Sequence, residues 1–203
     1  MDKQNEIFEE TAKKCIDQLK VTDFLKNSKL LGAQLKDNCL VLPLYGELYR
    51  ISIEGVNTQD GKSTNPAVSV LLLKYVLNCP DKIPPQGEWV TYREFEGAGI
   101  LSGHFTENTN KIIETSFSGK ADRLHHLALH MGGTPFDDGS SFDVAIEFEA
   151  LPRIPILLRF NDTDEPFPAQ CSILFRKSAD QFLDLKSLEV AGTLLAGKLI
   201  GSR

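Results

Sequence analysis

Residues Phe142 to Phe175 constrain this chain more than any other stretch. They read as three consecutive strands, FDVAIEFEA, LPRIPILLRFND and TDEPFPAQCSILF. The apolar runs are interrupted by Pro152, Pro155, Pro166 and Pro168 and by the acidic turn from Asn161 to Glu165. Short connections of this kind join antiparallel neighbours. The block predicts an α+β fold: one mixed sheet, or two antiparallel portions, with helices packed on the apolar faces.

The rest of the chain fits around that block. Residues 3–26 predict a helix with Ile7, Phe8, Ala12, Cys15, Ile16 and Leu19 on one stripe, and Val21-Thr22 as a possible break. Residues 32–54 are strand-rich and read as a meander with turns at Asp37-Asn38 and Tyr45-Gly46. A polar loop spans 57–65. The region 66–131 is helical: Pro66 opens PAVSVLLLKYVLN behind Asn65 or Thr64 as cap, and two more helices are expected over Glu107–Thr115 and Gly119–Met131. Ser118 is the expected cap of the second of these, and Gly132-Gly133 its end. After the strand-rich 142–175 comes a final helix over 185–200, with Leu188, Ala191, Leu195 and Leu199 on one face. The whole of 1–203 is read as a single domain. Leu42-Pro43 and Leu151-Pro152 begin a weak internal echo that matches at five positions, too few to mark two related halves.

A chain of 203 residues buries roughly 70% of the surface its unfolded form exposes, so it needs no covalent staples. Its net charge is −6 and its Lys and Arg residues are scattered, which excludes the basic stripe of a nucleic-acid binder. No apolar run approaches the roughly 18 residues that span a bilayer, and the start, MDKQNEIFEE, is unlike a signal peptide. A cytoplasmic location is expected. Cys15, Cys39, Cys79 and Cys171 are widely spaced, without C-x-x-C, and read as reduced thiols in or near the core.

Three constellations bear on chemistry. Gly61-Lys62-Ser63-Thr64 lies between a strand and a helix, as a phosphate-binding loop would. Gly55 and Gly61 enclose five residues where that loop takes four. Pro66 also removes an amide from the helix start, so a solvated loop is expected. In GKADRLHHLALHM, His126 and His130 stand one helical turn apart, a spacing at which two imidazoles reach one ion. Two nitrogens do not complete a site, so a third ligand is sought in Asp138, Asp137 or His104. All four histidines lie between positions 104 and 130. Asp137, Asp138, Asp143, Asp162, Asp164 and Glu165 form an acidic set whose members read mainly as turn residues. Nucleophilic catalysis has little support: G-x-S-x-G is absent and no cysteine has a histidine near it in sequence.

One further pattern is carried by combination and order. Trp89-Val90-Thr91-Tyr92-Arg93-Glu94-Phe95 is followed by Gly132-Gly133, Phe142–Ala145, Leu151–Pro155, Asp164–Ala169 and Ile173-Leu174-Phe175. Over residues 40 to 200 the chain resembles a family of about 200-residue proteins of unknown function from anaerobic bacteria and archaea. Some members of that family carry a four-cysteine iron–sulfur domain like that of corrinoid proteins. The resemblance implies an anaerobe's accessory protein, with an iron–sulfur or corrinoid protein as partner, and assigns no catalytic residue. The expected function is therefore a binding or accessory protein whose ligand is unknown, a transition metal or metal-containing cofactor at His126, His130 and Asp138 being the leading idea. A metal-dependent enzyme with Asp138 or Asp164 as base, and an interaction module without ligand, are the alternatives.

Overall fold

A computed structural model describes residues 3–201. Helix α1, Lys3–Lys20, stops at Val21-Thr22, where the sequence is β-branched and polar, and a 3-10 turn, Phe24–Asn27, leads into the short α2, Ser28–Leu31. The expected helix over 3–26 is thus shorter, and Ile7 stands out in solvent while Cys15 and Leu19 are buried. Strands β1 (Gln34–Lys36), β2 (Cys39–Leu44), β3 (Glu47–Ser52) and β4 (Gly55–Thr58) form an antiparallel meander in sequence order. Its first two turns fall where expected. Asp37, Asn38 and Tyr45 take positive φ, the conformation whose twist suits a two-residue hairpin. In β2 burial alternates, with Leu40, Leu42 and Leu44 inward, as in a sheet covered on one face. Strand β4 takes the start of what reads as a polar loop, and an Asn57–Ser63 bridge closes the remainder.

Helix α3, Pro66–Leu77, starts where proline and asparagine place it: the Asn65 Oδ1 accepts from the Ala67 amide at 2.8 Å. Strand β5 (Trp89–Thr91) runs into a 3-10 turn, Tyr92–Glu94. A continuous helical run follows: α4 (Ser102–Phe105), a π turn (Thr106–Asn110) and α5 (Lys111–Phe117). Then come α6 (Ala121–His130), β6 (Thr134–Pro135), β7 (Val144–Leu151), β8 (Ile154–Asn161), β9 (Gln170–Arg176), a 3-10 turn and α7 (Leu185–Gly201).

The second sheet has the order β5-β9-β8-β7-β6, every neighbour antiparallel. The fold class is α+β, with two antiparallel sheets. Strand β8 is central and covered on both faces, so IPILL is buried without alternation. Gly133 lets the end of α6 lie against β7, since a Cβ there would come within 2.5 Å of Ile146 and 2.8 Å of the Ala128 carbonyl oxygen.

Buried polar bonds tie the two sheets together. In the β2–β3 turn, the Tyr45 amide donates to Ala150 O at 2.9 Å and its hydroxyl to Ala191 O of α7 at 2.7 Å. Arg153, in the β7–β8 turn, donates to Leu30 O at 3.0 Å and Lys29 O at 3.2 Å, carbonyls at the end of α2. Apolar side chains from both sheets belong to one contiguous cluster. Pro43 lies inside β2 but Pro152 lies in a turn, so the echoed pairs occupy different places. No helix among the described residues is long and apolar enough to cross a membrane.

Ser118 is not the cap of α6. Asp162, just past β8, takes that role: Oδ1 accepts from Gly119 N at 2.6 Å and Oδ2 from Ala121 N at 3.0 Å. Burial opposes ionisation of this carboxyl, but the amides of Gly119, Thr163 and Ala121 outweigh it and hold its pKa below the ordinary 3.8. A lowered folded pKa gives stability that is present above the unfolded value and lost as pH falls through the folded one. Asp162→Ala is therefore expected to cost about 1–2 kcal/mol near neutrality. The gap to wild type should close in acid, below the ordinary aspartate range, in urea unfolding curves recorded across pH.

Candidate functional site

Helix α7 is apolar on nearly every side. Leu188, Ala191, Gly192, Leu195, Ala196 and Leu199 are buried. Seven other positions form two rows at the i, i+4 spacing that stacks side chains along a helix: Lys186, Val190, Leu194 and Lys198, and beside it Glu189, Thr193 and Gly197. All seven line a cavity of about 580 Å³. Phe8 of α1, Tyr49 of β3, Ala67 and Val68 of α3, and His104 and Asn108 of the α4 run complete the wall. A cavity of this volume, mostly apolar with a few polar groups, has the character of a small-molecule pocket.

Glu189 is the unusual member. Its side chain is 4% exposed, whereas those of His104 and Lys186 are 58% and 53% exposed. An unpaired buried carboxylate is very costly. Here one oxygen accepts from Lys186 Nζ at 2.8 Å and the other from His104 Nδ1. In the neutral imidazole this places the proton on Nδ1 and leaves Nε2 as an acceptor. Asn108 Nδ2 donates to the His104 carbonyl at 2.9 Å, and Thr193 donates to the Glu189 carbonyl at 3.0 Å. At the other end of the cavity, Glu47 accepts from Lys198 at 2.6 Å and from the Tyr49 hydroxyl at 2.7 Å. The Lys198 hydrogen bond, helped by that of Tyr49, holds the Glu47 carboxyl below its usual range against partial burial. Burial and Glu47 together push the Tyr49 phenol up.

Backbone proximity makes the His104–Glu189 contact possible. A Cβ on Gly192 would lie 2.6 Å from Phe105 Cε2 and 2.9 Å from Cζ. Phe105 cannot yield, because it is buried and stacked on Tyr92 at 4.4 Å between centroids.

The histidine pair read from sequence lies elsewhere. His126 and His130 are exposed on α6, and His126 Nδ1 bonds the Asp122 carbonyl of its own helix at 2.7 Å. Asp138 pairs with Arg159 and accepts from the Ser140 amide at 3.1 Å. The Ser140 hydroxyl, with Arg159, keeps its carboxyl below the usual range. The Asp137 carboxylate accepts from the Gly139 amide at 2.9 Å, and the backbone of Asp164 turns onto Phe167. Among the described residues no group of three or more His, Cys, Asp or Glu gathers as a metal site would. His104, by contrast, lines the α7 pocket. Its partner was not read from the sequence. The available signal was a lone carboxylate in the otherwise apolar run LEVAGTLLAG. The cysteines are free, Cys15 and Cys171 buried, Cys39 and Cys79 partly so.

A model described as "Domain of unknown function (DUF3786)" matches residues 23–198. The chain belongs to this family. No curated protein and no solved structure matches it. The matched DUF3786 region holds every wall of the pocket except Phe8, and Lys198 is its last residue.

Two glycines of α7 should respond oppositely to alanine. Gly192→Ala is expected to cost about 1–3 kcal/mol by overpacking against Phe105. Gly197 has open space around its missing Cβ, so Gly197→Ala should stabilise by about 0.5–1 kcal/mol through helix propensity. Chemical denaturation of the two variants beside wild type checks both.

Proposed function

We propose that this protein binds a small molecule with an apolar body in the α7 pocket, and that His104 exchanges a proton or hydrogen bond with its polar end. The observation that carries the reading is Glu189, a buried carboxylate with both oxygens committed, one of them to a histidine on the pocket wall. Replacing a buried ion pair by packed apolar side chains is often neutral or stabilising. A charge kept in such a place therefore points to a role in orientation. A carboxylate that fixes the far nitrogen of an imidazole presents the near one as a base or acceptor.

The apolar anion anilinonaphthalenesulfonate is a suitable probe, since Lys186 and Lys198 line an otherwise largely apolar wall. Wild-type protein is expected to enhance its fluorescence saturably while folded. Gly197→Phe, whose ring fills the cavity from a position with room for it, should abolish the enhancement while keeping cooperative unfolding. Equal enhancement in both proteins would place the dye elsewhere and end the reading.

A metal held by His126, His130 and Asp138 is a separate proposal, resting on the one-turn histidine spacing. On that proposal, metal content of protein purified without chelator falls in the double variant His126→Ala, His130→Ala. Equal content in the two proteins rejects it. Residence in the cytoplasm and a partner from an iron–sulfur or corrinoid system are likewise proposals, supported by the composition and by the resemblance.

A further inference from the structure

The α7 pocket is elongated, which restricts what it can hold. One helix lines it from Lys186 to Lys198. At 1.5 Å per residue these positions stand about 18 Å apart, and Glu189 and Gly197 of the inner row about 12 Å apart. Spread over such a length, 580 Å³ leaves a mean cross-section of roughly 30–50 Å². The cavity is therefore a narrow furrow along the helix. The middle of its wall is apolar, with Val190 and Leu194 of α7, Val68 of α3 and Phe8 of α1. Gly197 leaves open space where a side chain would stand.

The two ends of the furrow differ. At one, the two oxygens of the buried Glu189 carboxylate hold the Lys186 ammonium, at 2.8 Å, and the His104 imidazole side by side. An ammonium has three donors, and Glu189 takes one of them. Both Glu189 oxygens are engaged, so this end offers donors to an incoming acceptor. At the other end Lys198 and Tyr49 bond to Glu47, which lies outside the lining. Long side chains of this kind lay their apolar stems along the wall.

We infer that the furrow takes a linear fatty carboxylate, its head at Lys186 and His104 and its tail running along α7 toward Gly197. The inference rests on the small-molecule reading of this pocket and names the class of ligand. One carboxylate oxygen accepts from Lys186, and the other shares a proton with His104 Nε2. Donors already held in place by Glu189 spare the entropy of assembling them. With C–C bonds of about 1.5 Å, an extended chain of roughly ten carbons covers the 12 Å of the inner row. A cationic amphiphile of equal length would meet Lys186 where it needs an acceptor.

Titration calorimetry of the intact protein with hexanoate, octanoate, decanoate, dodecanoate and tetradecanoate, each below its micelle concentration, tests the inference. Affinity should rise about tenfold for each two methylenes added and level off near decanoate, where the wall ends. Decylamine and decanol should each bind at least about tenfold more weakly than decanoate. Lys186→Gln, which changes a half-exposed side chain, should weaken decanoate about tenfold and leave decanol unchanged. Gly197→Leu should move the plateau to a shorter chain, and a binding site elsewhere would not respond to it. Saturable binding by none of the alkanoates, decylamine bound as tightly as decanoate, or a length dependence unmoved by Gly197→Leu overturns the inference. If dye enhancement is still abolished by Gly197→Phe, such a result removes the ligand class and leaves the small-molecule reading standing. Equal dye enhancement in wild type and Gly197→Phe removes that reading, and decanoate bound equally by those two proteins removes the inference with it.

Discussion

The close crossing of α7 over the α4 run is the constraint on which the pocket depends. Two helices ordinarily pack at 8–10 Å between axes, set by the side chains at the contact. Here glycine at position 192 lets the ring of Phe105 rest against the helix backbone. His104 is the neighbour of Phe105, and Glu189 lies one turn before Gly192, so the same approach delivers the imidazole to the carboxylate. Tyr45 reinforces the arrangement from the opposite side by bonding the Ala191 carbonyl. The helix is thus held between the aromatic layer of Tyr92 and Phe105 and the turn of the first sheet.

Electrostatics follow from that packing. Glu189 is almost fully buried, and two hydrogen-bonded partners meet its two oxygens. Both partners are about half-exposed, so the cost of burial falls on Glu189 alone. A second carboxylate, Glu47, accepts from Lys198 and Tyr49, which line the other end of the cavity. Between them the wall is mostly apolar. An occupant would therefore meet polar groups at two ends and hydrocarbon in the middle.

The acidic residues of the loops have a different use. Asp137, Asp138, Asp143 and Asp162 all accept backbone amides, from Gly139, Ser140, Asp162 and Gly119 in turn. This is the ordinary behaviour of aspartate in turns and at helix starts. It accounts for most of the carboxylates that look available for cation binding in the sequence. The α6 histidines face outward for a similarly local reason: the apolar face of that helix, with Leu124 and Ala128, is the one packed on β7.

By itself the sequence determined the class, the strand block, two hairpin turns, the proline-started α3 and the inward face of α7, because each is set by period, turn chemistry or a cap within a few residues. It also pointed to position 104 among the histidines, though only as an accessory to His126 and His130. Tertiary structure alone decided that Asp162 caps α6 from 41 residues away, that His104 meets Glu189 across 85 positions, and that Asp138 goes to Arg159. These are contacts between side chains brought together by packing, and no local spacing encodes them. A short-range pattern can say that a carboxylate or an imidazole is present; only the crossing of the helices says which one faces which.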